Sequence, residues 1–281
     1  MLKPVVGITG ANGFIGSYLS DYLAKKGYSI IQFARNFKQN ITTQRKYDLE
    51  DLISKDLFTD VDVLIHCAFI KNEVNPLAEQ INYNATERLI TASREQGVKK
   101  VIFFSSVSAH NKAVSAYGKS KFRIHNLLDS KRDLIVQSGL VIGDGGLFKK
   151  LYEYSSSHKF IPLIDGGRQV IQLIAIDDVA DFIDNAIIND LTGTHVMVNN
   201  ERLTYRQIFE SIARLNQSKL YFIPLPGFFL KKIITSCNYL NIPIPVTKEN
   251  LLGFQKLKLF EPSPQLKASK SLVQKLFELK N

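Results

Sequence analysis

The sequence is poor in the residues that mark several classes of protein. Its 281 residues include two cysteines and no tryptophan. Cys67 ends an apolar segment and Cys237 lies in an amphipathic one, and neither has a spacing typical of metal ligands. The five histidines show no such spacing either. We therefore expect no metal centre and two reduced cysteines in the core.

Long apolar runs are also missing. No run approaches the roughly 18 residues that a membrane-spanning helix requires. Residues 1–4 lead directly into a predicted strand rather than into a targeting segment. These features predict a cytoplasmic protein without an integral membrane span.

Acidic residues are the minority among the charged ones. The chain has 26 of them against 36 lysines and arginines, which gives a net charge of +10. The cations are scattered, and no basic run is interleaved with aromatic residues as in proteins that track single-stranded nucleic acid. We therefore expect no nucleic-acid partner. The charge favours a small anionic substrate, with a merely solvated, lysine-rich surface as the alternative.

What the sequence does contain is a regular alternation of strands and helices. Hydrophobic residues make up 45% of the chain, enough to bury a large core. Predicted strands cover residues 5–9, 29–34, 61–67, 100–105 and 134–137, and predicted helices cover residues 14–26, 76–96 and the segment that bears Tyr117. This alternation predicts an α/β protein with a doubly wound parallel sheet, a Rossmann fold.

The alternation weakens after about Gly139. Glycine-rich turns occur at residues 143–146 and 165–167, and prolines interrupt the chain from Pro224 onward. Further predicted elements are helices at residues 147–156, 177–188 and 204–215, the last with Thr204 as N-cap, and a strand at residues 195–198. We predict a cofactor-binding domain over residues 1–143, with sheet-completing segments at about 170–200. Residues 144–169 and 201–281 would form a small, mostly helical substrate lobe.

A glycine-rich turn joins the first predicted strand to the first predicted helix. Its glycines allow a tight turn, a close approach of the backbone to a pyrophosphate, and close packing of helix on strand. Amide groups at the start of the helix would bind the phosphates. The cofactor-binding residues predicted in this turn are Gly10, Asn12, Gly13, Phe14, Ile15 and Gly16. A tight turn without a ligand is the alternative.

The end of the second predicted strand bears on which dinucleotide binds. An acidic residue there would accept hydrogen bonds from the adenosine ribose of NAD, but this chain has Ala34 followed by Arg35. An arginine suits the additional phosphate of NADP, so NADP is favoured over NAD unless Arg35 points to solvent. Asp48 and Leu49 are predicted to reach the adenine, with a helix N-cap at Asp48 as the alternative.

Tyr117 and Lys121, four residues apart, lie on one face of a predicted helix. A tyrosine normally loses its proton near pH 10, and a nearby ammonium group lowers the pKa of the phenol. The spacing therefore predicts an acid/base pair, from which Lys119 is excluded. The predicted strand that ends in Ser105 and Ser106 brings a hydroxyl to the same region.

Six short motifs occur in order over residues 1 to about 215. They are TGANGFIG at residues 9–16, His66-Cys67-Ala68, Asn82 with Ala85-Thr86, FFSS at residues 103–106, YGKSK at residues 117–121 and Ile176-Asp177-Asp178-Val179. In this combination they resemble an extended short-chain dehydrogenase/reductase of the NAD-dependent epimerase/dehydratase family. The C-terminal region matches that family only loosely. The resemblance implies a nucleotide sugar as the substrate.

The resemblance also implies roles for individual residues. Ser106 would hydrogen-bond the reacting oxygen, and Tyr117 would exchange its proton. Lys121 would bind the nicotinamide ribose and lower the pKa of Tyr117. The register of the strand favours Ser106 over Ser105 for the serine role. Ala68, Asn82 and Ser105 are expected at the cofactor, Asn82 also as a support of the helix that bears Tyr117.

The chain departs from the family pattern near the substrate. The departures are Gln137-Ser138 for a common Arg-Pro, Ala175 for a common histidine, His125 for a frequent glutamate, and a short interval between Ser106 and Tyr117. These changes leave the cofactor residues intact. They leave the identity of the sugar open.

One departure bears on the type of reaction. Val107 and Ser108 follow Ser106, where 4,6-dehydratases of the family carry Asp-Glu. Neither residue supplies the acid and base that elimination of water needs, so dehydration is disfavoured. We expect reversible hydride transfer at a carbinol carbon, by a 4-epimerase or a keto-sugar reductase. The alternative is a structural or regulatory member that binds the cofactor without catalysis.

Two surfaces are candidates for contacts outside the site. Residues 226–240 form an amphipathic stretch, interpreted as a helix of the lobe, with a membrane-surface contact as the alternative. By analogy with relatives, a homodimer would form through the helices at residues 76–96 and 116–128.

Overall fold

The structure of the protein, a computed structural model, describes residues 3–37, 43–70, 75, 77–227, 258–267, 271, 272 and 275. The strands are β1 Val6–Thr9, β2 Ile30–Ala34, β3 Gln44–Lys46, β4 Val63–His66, β5 Lys100–Ser106, β6 Leu134–Ser138, β7 Leu140–Ile142, β8 Phe160–Ile164, β9 Val170–Ala175, β10 Gly193–Met197, β11 Arg202–Thr204 and β12 Tyr221–Leu225. The helices are α1 Phe14–Lys25, α2 Ala78–Glu95, α3 Ala116–His125, α4 Gly146–Ser157, α5 Ile176–Ile188 and α6 Tyr205–Leu215.

A seven-stranded parallel sheet has the order β10-β6-β5-β4-β1-β2-β3. Every residue of β1, β4 and β6 is buried, as expected for strands covered on both faces. The strand order reverses between β1 and β4, which opens a crevice at the carboxyl ends of these two strands. The predicted Rossmann fold is confirmed.

Helices cover the two faces of this sheet with separate cores. On β4, Val63 and Ile65 pack into one core and Leu64 into the other, because successive side chains of a strand point to opposite faces. The first core includes apolar residues of α1 and α5, and the second includes Ala85 and Leu89 of α2. The apolar spacing that predicted these helices is therefore the spacing that buries them.

The chain after Gly139 contains strands that the sequence did not predict. A three-stranded sheet has the order β11-β9-β7, and β8 pairs with β12 in parallel. These strands have three to six residues each and lie where strands and helices no longer alternate regularly, so the sequence analysis did not recognise them. Within the predicted sheet-completing segment, β10 joins the central sheet, whereas β9 belongs to the small one.

Gly139 marks the point where the chain leaves the central sheet for the small one. It separates β6 from β7, and a Cβ atom at this position would lie 2.5 Å from the carbonyl oxygen of Gln172. Only glycine allows the two backbones to approach this closely. The weakening of the sequence pattern after Gly139 thus coincides with a real change of sheet.

The N-cap predicted at Thr204 is confirmed. Its hydroxyl accepts a hydrogen bond from the backbone amide of Gln207 at 3.2 Å, and the Gln207 side chain accepts one from the Thr204 amide at 2.7 Å. This reciprocal pair fixes the start of α6, whose buried face joins Phe148 and Leu151 of α4 in the core of the lobe.

Within the described ranges, every helix lacks either the length or the apolar character needed to cross a membrane. The amphipathic stretch at residues 226–240 lies outside the described residues apart from Pro226 and Gly227, and Cys237 lies outside them as well. Cys67 is a free cysteine directly after β4.

Candidate active site

The glycine-rich turn forms a cradle at the crevice between β1 and β4. Gly10 has a positive φ of 68°, and a Cβ atom there would lie 2.8 Å from the amide nitrogen of Ala68. A Cβ atom at Gly16 would lie 2.3 Å from the Gly10 carbonyl oxygen. Both glycines are therefore needed for the backbone to take this path. We name residues 10–16 the glycine loop.

The start of α1 suits a diphosphate. Its N-cap, Gly13, offers no side-chain hydrogen bond to the helix, and the first turn carries no acidic residue. The first amides of α1 thus keep their hydrogen-bonding capacity for an anion, which the helix dipole also favours. The cradle fits the diphosphate of a dinucleotide.

The other predicted residues of the glycine loop take different positions. Asn12 is exposed, and its amide donates to the carbonyl oxygen of Asn36 at the end of β2. Ile15 packs against the core shared by α1 and α5. Phe14 packs under the turn at residues 143–146, where Cβ atoms at Gly143 or Gly145 would overlap its ring. The turn at residues 143–146 therefore packs closely on Phe14 of the glycine loop because it carries glycine at these positions.

The residues predicted to bind the adenosine half lie at the end of β2 and in the segment after β3. Arg35 is exposed directly after β2. Leu49 is buried in the core, and its carbonyl oxygen accepts a hydrogen bond from Arg88 at 2.9 Å. The alternative of a helix N-cap at Asp48 is wrong, because the chain only bends there, with Asp48 accepting from the Glu50 amide at 3.4 Å.

The two adjacent serines at the end of β5 point in different directions. The Ser105 hydroxyl is buried and hydrogen-bonded to Nε2 of His125 at 2.7 Å. The Ser106 hydroxyl lies 2.9 Å from the Ser108 hydroxyl and is hydrogen-bonded to Tyr117. The alternation of side chains along a strand separates the two, and it places Ser106 beside Tyr117.

Helix α3 brings Tyr117 close to the end of β5. Ser115 caps the helix by accepting from the Gly118 amide at 3.1 Å. A Cβ atom at Gly118 would lie 2.4 Å from the Ser108 carbonyl oxygen, so a glycine is needed for α3 to approach the segment after β5. Removal from water raises the pKa of Tyr117, and the hydrogen bond with Ser106 opposes this shift.

Lys121 is buried at the base of the site, whereas Lys119 is exposed. Its ammonium group donates to the Phe104 carbonyl oxygen at 2.6 Å and lies 5.5 Å from the centre of the Tyr117 ring. Burial lowers the pKa of Lys121 to about 7. The predicted lowering of the Tyr117 pKa by Lys121 is not seen, because the ammonium group binds Phe104 and desolvation dominates at Tyr117.

Phe69, which the sequence analysis missed, covers this pair. Its ring lies 4.4 Å from the Lys121 ammonium group and meets the Tyr117 ring edge-on at 5.4 Å. The ring removes both groups from water, and a cation is attracted to an aromatic face. The only sequence signal was its place two residues after Cys67, beyond the carboxyl end of β4.

Asn82 has a different partner from the predicted one. It lies on α2, where its side chain accepts from the Ile70 amide at 2.9 Å and donates to the Ile70 carbonyl oxygen at 2.7 Å. It thus holds the segment after β4 rather than the helix that bears Tyr117. The prediction that Asn82 supports the helix that bears Tyr117 is therefore wrong, because the amide oxygen and the amide nitrogen of its side chain both bind the backbone of Ile70.

Gln137 is a further residue that the sequence analysis left without a role. Its buried amide donates to the Ala109 carbonyl oxygen at 2.7 Å. Ala109 belongs to the segment that follows Ser106, so Gln137 on β6 fixes the path of the chain beside the predicted catalytic hydroxyl. Strand pairing could have indicated it, because Gln137 lies opposite Ser105 in the sheet.

Metal chemistry was not expected from the sequence. In the described part of the chain, no group of three or more histidine, cysteine, aspartate or glutamate side chains is placed to hold a metal ion.

Comparisons with known proteins agree with this geometry. Residues 6–131 match the model of the NAD dependent epimerase/dehydratase family. A putative UDP-glucose 4-epimerase of Methanocaldococcus jannaschii is 26% identical over 68% of this chain and 78% of its own length. The epimerase family protein YfhF of Bacillus subtilis is 22% identical over 82% of this chain and 85% of its own length.

Solved structures show the same fold. The UDP-N-acetylglucosamine 4-epimerase of Bacillus cereus superposes with a TM-score of 0.70 over 99% of this chain and 98% of that one, at 17% identity. The UDP-glucose 4-epimerase of Thermus thermophilus, in complex with NAD, has a TM-score of 0.69 over 97% and 96%, also at 17% identity. Residues 6–131, which match the model of the NAD dependent epimerase/dehydratase family, carry the glycine loop, Ser106, Tyr117 and Lys121.

Proposed function

We propose that the protein is an NAD-dependent epimerase or keto-sugar reductase that acts on a nucleotide sugar. The observation that carries this proposal is the hydrogen bond between Ser106 and Tyr117, close to the buried Lys121 and at the same carboxyl edge of the sheet as the glycine loop. Two hydroxyl groups that can share one substrate oxygen meet there, at the edge that also holds a cradle for a diphosphate.

Each side chain would do a distinct part of the work. Ser106 would hold the oxygen of the reacting carbon by a hydrogen bond, and Tyr117 would give or take the proton of that oxygen. The bound cofactor supplies or accepts the hydride. Phe69 keeps water from the site, and Lys121 contributes a positive field close to the phenol once a ligand competes for its hydrogen bond with Phe104.

The substrate class is supported by the relatives and by charge. The putative Methanocaldococcus enzyme and both solved epimerases carry names that specify UDP-sugars. The net charge of +10 favours an anionic substrate over a neutral one. Val107 is buried and Ser108 is hydrogen-bonded to Ser106, so neither position supplies the acid or base of a dehydratase.

NAD is the cofactor that we propose, in place of the NADP that Arg35 favoured. The matched family is described as NAD dependent, and the Thermus epimerase is a complex with NAD. Arg35 is exposed and can turn to solvent. The measurement is the Kd of NADH and NADPH for the wild type and Arg35→Ala. A preference for NADPH that the variant loses would restore the original prediction.

A second function is favoured by one relative. The alpha subcomplex subunit 9 of mitochondrial NADH dehydrogenase from Arabidopsis thaliana is 21% identical over 90% of this chain and 68% of its own length. A cofactor-bound protein without turnover is therefore the competing proposal. Cofactor binding without turnover of any nucleotide sugar or small ketone would support it.

The test of the main proposal is Tyr117→Phe, which removes one hydroxyl and keeps the ring packed against Phe69. Loss of a general acid/base typically costs about 100- to 10,000-fold in kcat. We expect that loss with a nearly unchanged Kd for NADH, measured with a panel of UDP-sugars while cofactor absorbance is followed. Tyr83→Phe on α2 is the control, with turnover close to wild type. Normal turnover by Tyr117→Phe would disprove the assignment.

A further inference from the structure

Three buried polar side chains, those of Thr9, His66 and Thr86, form a continuous hydrogen-bonded chain beneath the glycine loop, which ends at the backbone carbonyl oxygen of Asn82. Thr9 ends β1, His66 ends β4, and Asn82 and Thr86 lie one turn apart on α2. None of the four is more than 1% exposed. A buried polar group without a partner destabilises the folded state, so each hydrogen bond of this chain matters to the fold.

The proton positions in this chain follow from its geometry. The Thr86 hydroxyl donates its single proton to the backbone carbonyl oxygen of Asn82 at 2.7 Å. The contact of 3.1 Å between Thr86 and Nε2 of His66 therefore requires the ring nitrogen to be the donor. Burial lowers the pKa of His66 to about 3, so the ring is neutral and Nδ1 carries no proton.

The other nitrogen of the ring then fixes the orientation of Thr9. Nδ1 of His66 accepts from the Thr9 hydroxyl at 2.7 Å. With its proton used in this way, the Thr9 oxygen is free to accept, and the Ala68 amide donates to it at 3.3 Å. The hydrogen bonds therefore run in one order. The Thr9 hydroxyl at the end of β1 donates to the ring, and the ring donates to Thr86 on α2.

We propose that His66, protonated on Nε2, is a positioning residue that holds the glycine loop and the Ala68 backbone in place for the cofactor. Thr9 leads directly into Gly10, and the Ala68 amide is the group that a Cβ atom at Gly10 would approach to 2.8 Å. Asn82, whose backbone carbonyl oxygen ends the chain, holds Ile70 by two hydrogen bonds of its side chain. Both sides of the crevice between β1 and β4 are therefore tied to one ring.

This inference rests on the proposed binding of NAD, and two variants of one residue test it. In His66→Asn, an amide oxygen in the place of Nδ1 can still accept from Thr9, while the bond to Thr86 is lost. In His66→Gln, an amide nitrogen in the place of Nε2 can still donate to Thr86, while the bond to Thr9 is lost. Each variant keeps one half of the chain.

We expect the two halves to differ in their effect on the cofactor. His66→Gln should raise the Kd of NAD at least tenfold in titration calorimetry, and His66→Asn no more than about threefold. Thermal unfolding without cofactor should show similar losses for both. An equal rise in Kd, or a larger one in His66→Asn, would overturn the inference. If neither folds, Thr9→Val and Thr86→Val make the same comparison, with the larger rise expected for Thr9→Val.

A spectroscopic signature checks the proton position independently of activity. Nitrogen-15 NMR of the histidine rings in the cofactor-free wild type should show a His66 ring protonated on Nε2 alone. A ring protonated on Nδ1 would overturn the inference. A wild type that binds no NAD would instead overturn the proposed function, which separates the two failures.

Discussion

The two ends of the central sheet differ in the partners that they give to a buried lysine. At the amino end, Lys100 opens β5 with its ammonium group bound to Asp190 and, at 3.0 Å, to the Leu191 carbonyl oxygen. At the carboxyl end, Lys121 binds one carbonyl oxygen and lies against aromatic rings. Both residues are 5% exposed. Of these two lysines, only Lys100 forms an ion pair with a carboxylate among the described residues.

The same contrast extends to the neighbours of each lysine. At the amino end, Lys99 pairs with Asp62 at 2.8 Å, and Arg132 donates to the carbonyl oxygens of Lys99 and Val98. A cavity of about 600 Å³ opens there, yet the charges that line it are largely used in these contacts. The paired charges at the amino end stabilise the fold. Charge kept apart from an opposite charge, as at Lys121, marks the end of the sheet where chemistry is expected.

The largest expected effect comes from breaking the cradle at the carboxyl end. Gly16→Ala would place a Cβ atom 2.3 Å from the Gly10 carbonyl oxygen and displace the glycine loop. We expect the affinity for NAD to fall about 100-fold, roughly 3 kcal/mol, in titration calorimetry.

Gly27→Ala is the matched control for that variant. Gly27 also occupies a turn at a helix end, but a Cβ atom there would meet no other atom within 4 Å. Its positive φ of 87° makes alanine cost about 1 kcal/mol of stability, with the Kd of NAD unchanged. Equal affinities of the two variants would show that the glycine loop does not seat the diphosphate.

The second prediction exchanges each buried lysine for an apolar side chain of similar length. Lys121→Met should lower kcat about 100-fold while raising the free energy of unfolding by about 1–3 kcal/mol, because removal of a buried cation without a carboxylate partner outweighs the loss of its hydrogen bond to the Phe104 carbonyl oxygen. Lys100→Met should instead lower stability by about 1 kcal/mol, since the Leu191 carbonyl oxygen loses its donor. Denaturant unfolding measures the change in stability of both variants. If the two changes had the same sign, the contrast between the ends of the sheet would be refuted.

The pH dependence of stability tests the same contrast. The pKa of Lys121 is about 7 in the folded protein against an ordinary value of 10.5, so between these pH values the unfolded chain binds one more proton. Wild-type stability should therefore rise with pH from about 7 to about 10 through this group, with its full penalty present below pH 7. The advantage of Lys121→Met should shrink over that range, and a constant advantage would contradict the assigned pKa.

A smaller effect is expected from the two buried glutamines that hold backbone groups. Gln137→Leu leaves the Ala109 carbonyl oxygen without its donor and loosens the segment after Ser106, so kcat should fall about tenfold. Gln172→Leu, which breaks two bonds to the Phe260 backbone in the C-terminal segment, should lower stability by about 1–3 kcal/mol at constant kcat. Steady-state kinetics and thermal unfolding distinguish the two.

The smallest effect is expected at the exposed pair of the amino end. Lys99→Ala removes an ion pair in which the lysine side chain is 77% exposed, so stability should change by less than about 1 kcal/mol. Turnover and the Kd of NAD should stay at wild-type values. A loss of either would mean that the amino end contributes to function.

The sequence predicted the central fold well because its signals are local. The strands that became β1, β4 and β6 are short apolar runs, and the helices that became α1, α2 and α5 show apolar residues at helical spacing. After Gly139, β8 and β9 are short apolar runs as well, but no regular alternation of strands and helices surrounds them, so the sequence analysis did not predict them.

Site residues divide in the same way. The glycine loop and the Tyr117 to Lys121 spacing are motifs within a few residues, so both were found in the sequence. Phe69 acts on Tyr117, 48 positions away in the chain, and Gln137 acts on Ala109, 28 positions away. No local pattern links such pairs.

By itself, the sequence determined the parallel sheet, the glycine loop and the helix that presents Tyr117 and Lys121 on one face, since periodicity and turn chemistry act over a few residues. Only the tertiary structure decided that Lys121 is buried under Phe69 and that His66 joins β1 to α2. Those outcomes depend on which side chains packing brings together and removes from water, and removal from water sets the protonation of Lys121 and His66.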